Sequence, residues 1–205
     1  RMEDAMNTLR VRIAAIALFA IGCLGAGPMT DESTTMIYAP TAVPLDWWVV
    51  NDTVMGGVSE AEVKPHSDGG VIFSGELSLE NNGGFTSMRT GDIRQDWSDV
   101  SAIQLEVVGD GRTYIATVRT PQRSMRRIYY RQAFETVAGE ATTVTLPLED
   151  FEAYTYGRRR PSAPTLAQVR SRVGSVGVML ADKKPGSFSL RIMSVSGVTG
   201  DAPEP

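Results

Sequence analysis

Apolar residues recur at every second position over short runs of this chain, and turn-forming residues interrupt the runs at regular intervals. Ile103, Leu105 and Val107 alternate with Gln104, Glu106 and Val108, while Phe188, Leu190 and Ile192 alternate with Ser189, Arg191 and Met193. A period of two sends successive side chains to opposite faces of a β-strand, so each run predicts a strand with one buried face. Runs of similar character predict strands at 45–50, 71–79, 84–89, 114–118, 128–134, 144–148 and 176–180. Gly109, Asp110 and Gly111 lie between two of these runs and predict a hairpin turn. Helical spacing occurs once, at 165–173, through Leu166, Val169 and Val173. Eight or nine strands with at most one short helix predict an all-β fold, an antiparallel sandwich or jelly roll. A parallel α/β fold needs crossover helices between strands, and the pattern contains none.

The first residues have a different character. From Met6 the sequence runs MNTLRVR, then an apolar stretch over 13–21, then small residues around Cys23 to Gly27. A basic start, a short apolar core and small residues near a cleavage point predict an export signal over 1–22. The core is shorter than the roughly 20 apolar residues that span a bilayer. Glu3 and Asp4 suit such a signal poorly, so Met6 is the expected start. Cys23 is the single cysteine, which rules out an intrachain disulfide. The local AIGC resembles a bacterial lipobox, with Ala20 where Leu is commonest. That predicts lipidation at Cys23 and a periplasmic, outer-membrane or cell-surface lipoprotein anchored to membrane; cleavage nearer Ala26 into a secreted protein is the alternative. Small and polar residues over 23–43 predict a tether, 44–198 one domain, and 199–205 a frayed tail.

Twenty Lys and Arg against 24 Asp and Glu leave a net charge of −4, and loss of the signal makes the chain slightly more acidic. This balance argues against a nucleic-acid partner. Positive charge is nevertheless locally dense at Arg119, Arg126, Arg127, Arg131 and Arg158 to Arg160. The run at Arg158, Arg159 and Arg160, in a Tyr/Gly/Pro loop, is either a solvated loop or a receiver for an acidic partner, anionic glycan or lipid headgroup.

Two Asn/Asp/Gly clusters, NDTVMGG at 51–57 and NNGG at 81–84, flank strand-like runs. Glycine supplies positive φ, and Asn and Asp tolerate it while bonding their own backbone. Asn51, Asp52, Asn81 and Asn82 therefore carry two readings: loops shaped to meet a ligand, or turns that satisfy themselves. Trp47 and Trp48 are adjacent, so a strand sends one to the core and the other outward, beneath a loop or as a stacking platform. Arg89 closes a strand-like run near Asp92, which predicts partial burial and pairing. Asp52, Asp110 and Asp182 are oxygen donors of the type Ca²⁺ takes, but no calcium-loop spacing accompanies them.

Catalytic chemistry finds little footing. His66 is the lone histidine and sits in a polar loop, where solvation is expected. Glu76 and Glu80 would share one side of a continuous strand, without surroundings that raise either pKa. No nucleophile–base pair, metal spacing or phosphate loop is present, so no catalytic residue, metal or cofactor is assigned.

Five motifs carry a resemblance. WWVVNDTVMGGVSEA (47–61), FSGELSLENNGGFTSMR (73–89), GDGRTY (109–114), LPLEDF (146–151) and VGVMLADKKPGSFSLRI (176–192) resemble the complex I intermediate-associated protein 30 family over about residues 45 to 198. The resemblance implies a galactose-binding-like jelly-roll β-sandwich and a non-catalytic role, since eukaryotic members act as assembly chaperones for respiratory complex I. Mitochondrial members work in the matrix, whereas an export signal sends this chain outside the cytoplasmic membrane, so its protein partner is expected to differ. A carbohydrate-binding module for cell-wall or extracellular glycan is the alternative. The binding candidates are Trp48, Asn51, Asp52, Asn81, Asn82, Arg89, Asp110, Arg158 and Arg159.

Overall fold

The computed structural model describes residues 34–38, 46–93, 96–120 and 128–200. The expected export signal, Cys23, Arg126, Arg127 and the end of the tail lie outside the described residues. In chain order the strands are β1 (Thr34–Tyr38), β2 (Trp47–Asn51), β3 (Glu60–Pro65), β4 (Val71–Leu77), β5 (Thr86–Thr90), β6 (Val100–Val108) and β7 (Thr113–Arg119). They continue as β8 (Tyr129–Glu135), β9 (Ala141–Pro147), β10 (Glu152–Thr155), β11 (Arg158–Arg159), β12 (Ser175–Leu180) and β13 (Gly186–Thr199).

These strands build two antiparallel sheets. The first runs β3-β4-β13-β6-β9, with β1 also paired to β13; the second runs β11-β10-β8-β7-β12-β5-β2. The core lies between the sheets. Phe73 meets Phe188 edge to face at 5.0 Å within the first sheet, and Tyr114 stacks on Phe134 at 6.0 Å within the second. Trp97, 1% exposed in the link from β5 to β6, adds its ring to this core. Burying each large apolar side chain contributes about 1.5–3 kcal/mol, so alternation alone brings the two inner faces together.

β13 explains why its clean alternation ends early. Phe188, Leu190 and Ile192 face inward, but the register against β6 slips between Ile192 and Ser194. The extra residue changes the parity, so Val195 takes the next inward place while Ser194 bonds Glu106 on the outside at 2.9 Å.

Several expectations change on folding. β6 and β7 do not form a hairpin: Gly109-Asp110-Gly111 carries the chain from the first sheet to the second. Turn chemistry is the same for a hairpin and for such an arch, and inter-sheet packing decides between them. β4 ends at Leu77, and Glu80 lies in a 3₁₀ turn, so Glu76 and Glu80 do not share a continuous strand. The helix shrinks to α1 (Leu166–Val169), capped by Thr165 and Gln168 reciprocally, before a 3₁₀ turn at Arg170–Arg172. Thr34–Tyr38, inside the stretch read as a tether, pairs with β13; its TTMIY sequence is β-branched and aromatic, which suits a strand. β3, β10 and β11 were not among the expected strands; β10 and β11 span only four and two residues, and β3 carries Ala61 and Val63 alone as apolar positions before Pro65.

Candidate functional site

The two Asn/Gly clusters lie together at one edge of the sandwich. NDTVMGG carries the chain from β2 in the second sheet to β3 in the first, and NNGG returns it from β4 to β5. Asp52, with 0% exposure, bolts them together. One carboxylate oxygen accepts the Ser59 N–H at 3.0 Å. The other accepts the Ser59 hydroxyl at 2.6 Å, the Gly84 N–H at 2.7 Å and the Phe85 N–H at 3.3 Å. Burial works to raise the Asp52 pKa, but the bonds from Ser59, Gly84 and Phe85 outweigh it and hold the carboxyl below its ordinary 3.8.

Gly57 and Gly83 make room for that carboxylate. A Cβ on Gly57 would stand 2.4 Å from the Asp52 Cγ and Oδ1, and one on Gly83 would stand 2.6 Å from Oδ2. Asn51 extends the knot, its Oδ1 accepting the Thr86 hydroxyl at 2.6 Å. Asn81 and Asn82 hold positive φ of 54° and 60° in the turn, which Asn tolerates better than most residues. Their side chains are exposed, whereas Asp52 is fully occupied within the fold.

Asp110 and Asp182 are likewise occupied at the arch between β6 and β7. Asp110 accepts the Arg112 N–H at 3.1 Å, the Tyr114 hydroxyl at 3.1 Å and the Ser189 N–H at 2.9 Å. Arg112, 9% exposed, grips Asp182 with both Nε (3.0 Å) and Nη2 (2.7 Å) and also donates to the carbonyls of Lys184, Gly186 and Ser187. Burial pushes Asp182 upward, and the bonds from Arg112 and the Lys184 N–H overcome it, leaving the group below 3.8. The three aspartates thus serve separate partners, and among the described residues no group of three or more His, Cys, Asp or Glu converges on one point. His66 is partly buried in the turn to β4, where its Nδ1 accepts the Asp68 N–H at 3.1 Å.

The outer face of the second sheet is buried at its middle, at Thr117 and Met179, and partly exposed towards its edges. Register and alternation place Trp48, Arg89, Arg119, Tyr129, Arg131 and Tyr154 on this face, pointing away from the core. Trp48 is 43% exposed, whereas Trp47 packs on the core, as adjacent strand positions require. Guanidinium groups cover the rings: Arg89 lies 5.2 Å from the Trp48 centroid, Arg119 4.8 Å from Tyr129 and Arg131 3.4 Å from Tyr154. An open groove of about 170 Å³ runs beside this row, walled by Trp48, Arg89, Asp92 and Arg119. At the far edge Arg159 pairs with Glu152 at 2.6 Å, and Arg158 is exposed beside it. The sequence reading singled out Trp48 and Arg89 but missed Tyr129 and Tyr154. Tyr129 and Arg131 sit two apart on β8, a spacing visible in sequence; that β7 and β10 supply their neighbours was not.

Fold and face together define a galactose-binding-like β-sandwich with arginine and aromatic side chains along the outer side of one sheet. Solved structures of this type include the family 11 carbohydrate-binding module of the Clostridium thermocellum cellulase Lic26A-Cel5E, with a TM-score of 0.63 at 14% identity over 84% of this chain and 98% of that one. A family 11 carbohydrate-binding module from Clostridium thermocellum in complex with a β-1,3-1,4-mixed-linked tetrasaccharide gives 0.59 at 14% identity, covering 83% of this chain and 98% of that one. At these identities the likeness is one of fold. Sequence decides the family: the pattern of complex I intermediate-associated protein 30 matches residues 38–192, and the chain belongs to that family. The mouse (Mus musculus) protein named "Complex I intermediate-associated protein 30, mitochondrial" is 27% identical over 178 residues, which is 77% of this chain and 54% of the mouse protein. The chain thus spans about half the length of that relative.

Proposed function

We propose that this chain is a non-catalytic binding module that assists assembly of a protein complex in the cell envelope and meets its partner through the outer face of the second sheet. Membership of the complex I intermediate-associated protein 30 family supports the assembly role. The single observation that carries the reading is the composition of that outer face towards its edges. Trp, Tyr and Arg are the residue types that dominate protein-interface energetics, and this face is built from them. The export signal and the lipid anchor at Cys23 expected from sequence favour a partner outside the cytoplasmic membrane.

Binding of a neutral glycan is the second reading, favoured by one observation: Trp48 stands half-exposed at the wall of the groove. The two separate experimentally. Cross-linking the full chain in membranes, followed by affinity purification, is expected to recover one defined protein, with Trp48→Ala reducing the yield and Cys23→Ser releasing the chain from the membrane fraction. Recovery of no protein, together with glycan-array binding that Trp48→Ala abolishes, would replace the assembly role by the glycan one.

A further inference from the structure

We propose that the links from β2 to β3 and from β4 to β5 form a docking surface for a partner polypeptide, through a segment that sets apolar residues beside Lys or Arg. The inference goes beyond the reading above, because this surface is one end of the sandwich and not the outer face of a sheet.

Topology fixes where it lies. The orders β3-β4-β13-β6-β9 and β2-β5-β12-β7-β8 run in step through the two sheets, and a link joins each facing pair. The strand registers bring these links side by side at one end. The two at the β2 edge carry the apolar residues. Of the seven large hydrophobic side chains exposed among the described residues, Val54, Met55, Val58 and Leu79 belong to them, Val54 at 73% and Met55 at 65%. Single exposed apolar residues are ordinary, but four within two adjoining links make a patch.

The patch is rigid before anything binds. The Ser59 hydroxyl accepts the Ser78 N–H at 3.0 Å and lies 3.1 Å from the Ser78 carbonyl, which sets Val58 and Leu79, the next residues along, side by side. Asp52 clamps both links through Ser59, Gly84 and Phe85. A surface held in shape in this way loses little further entropy when a partner docks.

Charge names the occupant. Glu60 and Glu76 stand directly opposite each other on β3 and β4, and Glu80 follows in the second link. Like charges placed opposite each other destabilise a sheet. None of the three is ion-paired among the described residues. The cations nearby are placed elsewhere: Lys64 pairs with Glu62 towards the far end of β3, and Arg191 donates to the carbonyls of Asp68 and Gly69. Lys183 and Lys184 belong to the third link, on the side away from β3. A partner's Lys or Arg beside Glu60 and Glu76 relieves their repulsion while its apolar neighbours cover Val54, Met55, Val58 and Leu79. The same carboxylates repel an anionic bilayer, which favours a polypeptide over a lipid surface.

Calorimetric titration of the full chain with a Leu/Lys peptide of about fourteen residues, four helical turns, tests this. The peptide is expected to bind at low salt, and a Leu/Glu peptide of the same pattern to fail. Val54→Ser combined with Met55→Ser is expected to weaken binding about tenfold. Both side chains are exposed, so thermal unfolding should be unchanged. Glu60→Gln combined with Glu76→Gln is expected to weaken binding about tenfold and flatten its salt dependence, with an unfolding temperature equal or higher. Equal binding of the Leu/Glu peptide, or an unchanged affinity in either double variant, would overturn the proposal. Two further outcomes would also overturn it. Retention on phosphatidylglycerol vesicles that the Val54 and Met55 substitutions abolish would assign the patch to a membrane, and a dimer in sedimentation that they dissolve would assign it to a second copy. If those substitutions leave peptide binding unchanged while Trp48→Ala still lowers recovery of the cross-linked partner, this surface falls and the assembly reading stands. Peptide binding lost in that variant, with no partner recovered by cross-linking, shows the reverse.

Discussion

Replacing Asp52 by alanine tests whether one buried carboxylate holds the two crossovers together. The substitution removes the acceptor of three N–H groups and one hydroxyl. A hydrogen bond to a charged group contributes about 1.5–3 kcal/mol net, and a buried donor left without a partner costs about 1–3 kcal/mol. Some donors have an escape. The Ser59 hydroxyl already lies 3.1 Å from the Ser78 carbonyl, and Gly84 and Phe85 are partly exposed and reach water. The Ser59 N–H has no such exit, since Ser59 is 0% exposed. The expected loss is about 3–5 kcal/mol, a large part of the roughly 5–15 kcal/mol by which a domain is stable. Asp52→Asn keeps the shape and one acceptor oxygen but turns an NH₂ towards donors, and should lose about 2–4 kcal/mol. Urea unfolding followed by intrinsic tryptophan fluorescence reads both. A loss below about 1 kcal/mol for Asp52→Ala, at unchanged denaturant slope, would refute the reasoning and show that the crossovers hold themselves.

Neighbouring glycines give a paired comparison. Gly56→Ala meets no atom within 4 Å and suffers only from its φ of +93°, a strain of about 1–2 kcal/mol, whereas Gly57→Ala must displace the Asp52 carboxylate and should cost about 2–4 kcal/mol; thermal unfolding ranks the two. Arg112→Ala leaves Asp182 buried without its cation while the side chain of Asp182 is 6% exposed, so a loss of about 3–5 kcal/mol is expected by the same assay, and the double variant Arg112→Met with Asp182→Leu should recover much of it. The Asp52 and Asp182 carboxyls both lie below their ordinary 3.8 in the folded chain. Their contribution is therefore present above about pH 4, the unfolded value, and is lost as pH falls through the folded values. Urea midpoints measured from pH 7 downward should drop below pH 4, and Asp52→Asn should make that drop shallower.

How much of the site could be read from sequence depended on whether neighbours in space were also neighbours in the chain. The NDTVMGG and NNGG clusters stood out because each concentrates turn residues within a few positions. Their link did not, since Asp52 reaches residues 32 and 33 positions away. The same limit hid the arginine–aromatic row. Trp48 and Arg89 are paired across β2 and β5, Arg119 and Tyr129 across β7 and β8, and Arg131 and Glu152 across β8 and β10. Each pair needs a register, which local pattern alone does not specify.

The chain's own sequence determined the class of fold, the family and most strands, because burial of alternating side chains is a local, additive preference. Tertiary structure decided the rest. It made the Gly109–Gly111 turn an arch between sheets, turned Asp52 from a ligand candidate into the bolt between two crossovers, and assembled arginines from four strands on one face of a net-acidic protein. Each of these outcomes depends on which strands become neighbours, and that is settled by the packing of the two sheets as a whole.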